Sequence, residues 1–146
     1  MRIRRGPVML AALVMTAGQA MAADSVTYPV EGTFEDATFN VENAIVDRGL
    51  VVDYVSHVGD MLNRTGEDVG SSENLFDSAN IYLFCSAVLS RRMMEADPAN
   101  IAHCPYGIFV TDRSGAVEIG YRTYPEGPMQ EVQALLDEIA REASGQ

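Results

Sequence analysis

Two thiols, Cys85 and Cys104, are the only cysteines in the 146-residue chain. Three chemistries suit such a pair. The first is a structural disulfide, which an oxidising compartment favours in a small domain. A helix after Cys85 would carry the chain away by about 15 Å, and an extended return of about eight residues spans about 25 Å, so the ends can meet. Closing a loop of about twenty residues stabilises a domain by about 3 kcal/mol on the chain-entropy view. The second is thiol redox work. Cys85 stands where a helix is expected to begin, and free N–H groups and the helix dipole there favour a thiolate. Cys104 would then serve as a resolving partner, because the spacing is not Cys-X-X-Cys. The third is a soft-metal site. Cys85, His103, Cys104 and Met93, with Met94 and His57 nearby in kind, offer donors that suit copper or a haem iron. No Cys-X-X-Cys-His occurs, so covalent c-type haem is excluded. The sequence demands no cofactor.

Other reactive groupings are sparse. Arg91 and Arg92 form a doublet that could contact an anion, and an exposed helical face is the alternative. No Gly-rich phosphate loop, nucleophile elbow or His-Glu zinc helix is present. Asp36, Asp53, Asp60, Glu67 and Asp68 are spread so that spacing alone brings no acid pair into a cleft. An enzymatic role therefore lacks a motif.

The elements that would position the thiols follow from periodicity. Val26–Val30 reads as a weak strand. Phe34, Ala37, Val41, Ala44 and Ile45 recur at helical spacing, with Thr33 as N-cap and Gly49 as stop. Leu50–Val58 is rich in β-branched residues, Gly59–Arg64 reads as a short helix, and the polar run 65–74 as a loop. Ala79–Cys85 is a strand with two apolar faces, Ile81, Leu83 and Cys85 on one and Tyr82 and Phe84 on the other. Ser86 caps a helix that turns Val88, Leu89, Met93 and Ala96 inward and stops at Asp97-Pro98. Ile108–Thr111 and Ala116–Tyr121 flank Asp112-Arg113-Ser114-Gly115 as a hairpin. A final helix from about Pro128 carries an apolar stripe of Met129, Val132, Leu135, Leu136, Ile139 and Ala143. The order is β-α-β-(α)-β-α-β-β-α, an α+β domain with helices on one face of a mostly antiparallel sheet. The other face then needs cover, and Tyr82, Phe84, Phe109 and Val51 are expected to line it.

Residues 1–23 have the parts of a secretory signal: Arg2, Arg4 and Arg5, an apolar run from Pro7 to Ala17, and Ala20, Ala22 and Ala23 before the cleavage point. The expected product is periplasmic or secreted, starts at Ala23 or Asp24, forms one domain over 24–146 and has no stable membrane insertion. Loss of three of the ten basic residues leaves seven Arg against 21 Asp plus Glu, a formal charge of −14. Such a surface repels phosphate backbones, which excludes nucleic acid and leaves a protein or small molecule as partner.

Several stretches together resemble the bacterial and archaeal domain of unknown function 302 family. They are the first helix ending in Arg48-Gly49-Leu50, the strand-Cys-helix step IYLFCSAVLSRRMMEADP, the Pro105 lead into GIFV, and the closing hairpin and helix. The resemblance implies a compact α+β domain like the saddle-shaped sheet of TATA-binding-protein-like folds, and often a homodimer. It implies no established reaction. The family pattern has Asn-Pro after the first cysteine and Leu-Pro-Cys before the next strand. Here Ser86-Ala87 and Cys104-Pro105-Tyr106 stand there, so the second thiol lies two residues early and Tyr106 takes the usual cysteine's place. Taken together, these features give an exported binding or accessory domain with a Cys85–Cys104 disulfide, and a thiol-redox or soft-metal protein as the alternative.

Overall fold

The computed structural model describes residues 24–146; the expected leader at 1–23 lies outside the described residues. The elements in chain order are β1 (Ser25–Pro29), α1 (Phe34–Val46), β2 (Val51–Ser56), α2 (Val58–Thr65), β3 (Ser78–Cys85), α3 (Ala87–Ala96), β4 (Tyr106–Arg113), β5 (Ala116–Arg122) and α4 (Gln130–Ser144). Short 3₁₀ turns occupy Glu67–Val69 and Pro98–His103. The five strands form one sheet in the order β1-β5-β4-β3-β2, and every neighbouring pair is antiparallel.

Local chemistry sets the boundaries. The Thr33 hydroxyl accepts the Asp36 N–H while the Asp36 carboxylate accepts from the Thr33 backbone, a reciprocal cap that starts α1. The Ser86 hydroxyl accepts the Leu89 N–H and starts α3. Ser114 and Gly115, both at positive φ, make the two-residue turn between β4 and β5, the backbone that a right-twisted hairpin needs. Asp77 accepts the Ser114 N–H and Asp112 the Gly115 N–H, which fix that turn. The run Leu50–Val58 is shorter as a strand than its composition suggests: β2 ends at Ser56, and α2 takes over beside β3.

The helices α1 and α4 pack on one face of the sheet and on each other. Ala37, Val41, Ala44 and Ile45 of α1 and Val132, Leu136, Ile139, Ala140 and Ala143 of α4 are buried there, against Phe84, Ile108, Val110 and Ile119 of the sheet.

Tyr82 and Phe84 belong to this core, at 4% and 0% exposure, and do not line the open face as the sequence suggested. β3 is apolar on both sides, so its alternation could not say which side the helices cover; α1 and α4 decide that. The open face carries Ile81 and Leu83 of β3 and Phe109 of β4, the registers Ile81↔Phe109 and Leu83↔Gly107 setting them side by side. Val51 and Tyr54 of the edge strand β2 pair with Cys85 and Leu83 and are largely exposed. Among the described residues no helix is long and apolar enough to cross a membrane.

Candidate functional site

The thiols meet where β3 hands over to α3 and where the 3₁₀ turn hands over to β4. Cys85 ends β3, one residue before the Ser86 cap. Cys104 follows the Pro98–His103 turn, its N–H bonded to the Ile101 carbonyl, and leads through a cis bond to Pro105 into β4. Both thiols are free and half-buried, and their sulfurs stand 2.8 Å apart, against about 2.05 Å for a disulfide bond. Below them lies Ser90, one turn into α3. Its hydroxyl is 3.8 Å from Cys104 Sγ and donates to the Tyr106 hydroxyl at 3.1 Å. Tyr124 packs edge-on against both Tyr106 and His103, with centroids 6.2 and 5.7 Å away.

The electrostatics oppose a thiolate. In the dithiol form burial pushes the Cys85 thiol up to about 11, and the hydrogen bond and charge of Cys104 add to this. The helix start was expected to do the reverse. Cys85 precedes the cap and is set among Cys104, Ser90 and the Asp53 charge, so desolvation outweighs the dipole. Burial likewise raises Tyr106, and raises Tyr124 to about 12.

A family model described as "Domain of unknown function DUF302" matches residues 26–144. The chain belongs to the DUF302 family. No curated protein matches it. Among solved structures it is similar to an uncharacterized conserved DUF302 protein from Bacillus stearothermophilus, at 18% identity and a TM-score of 0.59, over 82% of this chain and 89% of that one. At that identity the likeness is one of fold.

In this DUF302 domain Tyr106 is fully buried and anchored on Ser90, while Cys104, two residues earlier, supplies the sulfur next to Cys85.

The other residues singled out from sequence are dispersed. Met93 is buried in the core, and its carbonyl accepts from Asn100. His57 Nδ1 lies 2.9 Å from Asn80 Oδ1, away from the thiols in chain and partner. The His103 ring meets the Tyr124 ring edge-on. Among the described residues no group of three or more His, Cys, Asp and Glu is placed to hold a metal ion. Arg91 pairs with Glu95 one turn along, and Arg92 with Glu131 at the start of α4, so both guanidinium groups already face carboxylates.

Sequence reasoning missed Ser90, Tyr106 and Tyr124 as neighbours of the thiols, since only folding brings 90, 106 and 124 together. It also missed a concavity of about 330 Å³ on the open sheet face, lined by Asp24, Ser25, Ile81, Leu83, Pro105, Gly107, Phe109, Arg122 and Tyr124. Two glycines shape it. A Cβ on Gly120 would lie 2.4 Å from Phe109 Cζ and 2.6 Å from the Val26 carbonyl oxygen, so the Phe109 ring rests on bare backbone. A Cβ on Gly107 would lie 3.3 Å from Leu83 Cδ2, inside the trough. Glycines inside two adjacent strands were a readable signal of close approach.

Proposed function

We propose that this DUF302 chain is exported, loses its leader after Ala22 or Ala23, and acts outside the cytoplasm as a small non-catalytic binding or accessory domain stapled by a Cys85–Cys104 disulfide. The observation that carries the reading is the 2.8 Å approach of the two sulfurs, in a chain whose first 23 residues have the pattern of a secretory signal. An oxidant acting on a dithiol already face to face closes the bond with little rearrangement. The staple ties the β3–α3 junction to the start of β4, and these strands form the middle of the open face. The raised Cys85 thiol supports a structural role over a nucleophilic one, since attack requires the thiolate.

Fractionation of cells producing the chain, with N-terminal sequencing of the product, tests the export half. A soluble product beginning at Ala23 or Asp24 outside the cytoplasm is expected, and an intact Met1 on cytoplasmic protein contradicts it. Urea unfolding of the oxidised protein against Cys85→Ser/Cys104→Ser tests the staple. A loss of about 3 kcal/mol is expected for a loop of this length, and equal stabilities contradict it.

A further inference from the structure

We propose that the open-face concavity binds a small amphipathic organic anion, with Arg122 receiving its carboxylate and the Ile81–Leu83–Phe109 floor receiving its apolar body. This rests on the binding-domain reading above and adds the class of ligand.

The floor is apolar, concave and built on strands. Ile81, Leu83 and Phe109 are fixed by the β3–β4 register; Gly107 withholds a side chain that would enter the trough, and Gly120 leaves the room in which the Phe109 ring sits. Its volume, about 330 Å³, lies at the small end of the usual range for ligand pockets. Tyr124 forms a wall held from behind: its N–H donates to Gln133 Oε1 and its carbonyl accepts from Gln130 Nε2, while its ring packs on Tyr106 and His103. A rigid wall and floor reduce the ordering cost of binding.

Charge selects the class. Of the arginines described, Arg48, Arg91, Arg92 and Arg141 are ion-paired, and Arg113 covers the Phe76 ring. Arg64 ends α2, where a cation suits the helix C-terminus. Like Arg64 and Arg113, Arg122 makes no ion pair among the described residues, and of these three it is the one that lines the concavity. A planar guanidinium beside an apolar trough matches a carboxylate with a hydrocarbon or aromatic body. The acidic remainder of the surface disfavours the same anion elsewhere. Asp24 also lines the rim, so a cationic probe belongs in the test.

The probes are octanoate, 1-octanol and octyltrimethylammonium, titrated into the purified protein and followed by amide chemical shifts. Octanoate is expected to move the amides of Leu83, Gly107 and Phe109 and to bind roughly tenfold tighter than 1-octanol, the scale of one hydrogen-bonded charge. Arg122→Gln should remove that advantage and leave 1-octanol within about twofold. Gly107→Leu should abolish binding of all three probes while the circular dichroism melt stays cooperative. If 1-octanol binds as well as octanoate, if octyltrimethylammonium binds best, or if Arg122→Gln changes nothing, the anion class is wrong and the face remains an apolar binding surface. If no probe moves those amides, the concavity is not a site for this class of ligand and the inference fails, while the export and staple tests above judge the domain reading separately.

Discussion

Asp137 fastens the edge of the sheet to the last helix, and its removal has a calculable cost. Its Oδ1 accepts the hydroxyls of Tyr28 on β1 and Tyr121 on β5, the latter at 2.7 Å, and its Oδ2 accepts Arg141 Nε at 2.9 Å. Arg141 in turn lies over the Tyr28 ring, 4.8 Å from the centroid. Asp137→Ala removes both phenol acceptors. Hydrogen bonds to a charged group contribute about 1.5–3 kcal/mol each when well buried; this carboxylate is 31% exposed, so about 1–2 kcal/mol each, or 2–4 in all, is the expected loss. The solvent-facing Arg141 pair adds little. In a domain of this size the loss lowers Tm by about 3–5 °C per kcal/mol.

The pH dependence carries a sign. Burial raises the Asp137 carboxyl, but the hydrogen bonds from Tyr28, Tyr121 and Arg141 outweigh it and hold the group below its ordinary 3.8. A carboxyl depressed by folding stabilises above its unfolded value and loses that contribution as pH falls through the folded one. The gap between wild type and Asp137→Ala should therefore be full at pH 7 and shrink below pH 3.8. Urea unfolding at both ends checks this. A gap under about 0.5 kcal/mol at pH 7, the size of an ordinary surface change, or one that does not narrow in acid would refute the reasoning.

Further outcomes follow from the same geometry. Gly120→Ala should cost more than about 2 kcal/mol by overpacking, because its Cβ meets both the Phe109 ring and the Val26 carbonyl; Phe109→Ala in the same chain should not restore stability in thermal melts, since the backbone clash remains. In the reduced protein the Cys85 thiol, raised from 9 to about 11, retains its proton when folded after the unfolded chain has lost it. Stability should then fall as pH rises across that window. The oxidised protein lacks this component, which paired unfolding curves at pH 8 and 11 would detect.

The helix caps, the stripes of α1 and α4 and the Ser114-Gly115 turn were legible because each is set by residues a few positions apart. Thr33 with Asp36, and Ser86 with Leu89, carry their own hydrogen bonds. The α3 stripe is narrower than its apolar residues suggest: Met93 is buried, but Val88 is 69% exposed and Ala96 is exposed, not inward, because apolar spacing marks a helix face without saying how much of it a neighbour covers. The antiparallel arrangement followed from the hairpin and the element order. The face assignment of β3 was not legible, because Ile81 and Leu83 are as apolar as Tyr82 and Phe84 and only the docking of α1 and α4 separates them. Pro98–His103 forms a 3₁₀ turn where spacing alone suggests an extended return, and its signal is Asp97, whose carboxylate accepts the Ala99 N–H. The direction of the Cys85 shift was missed for a related reason. Helix position can be read from sequence, whereas desolvation depends on Cys104 and Ser90, brought in by folding. The Tyr28–Asp137–Tyr121 link spans 109 positions and leaves no local trace.

The state of the two sulfurs in protein recovered from outside the cytoplasm tests the proposal most directly. Intact mass before and after reductant, each followed by alkylation, reads it in one sample. A Cys85–Cys104 bond predicts no alkylation before reduction and two adducts after it, with a peptide joining the segments around 85 and 104. Two adducts without reductant, on folded protein from an oxidising compartment, would contradict it.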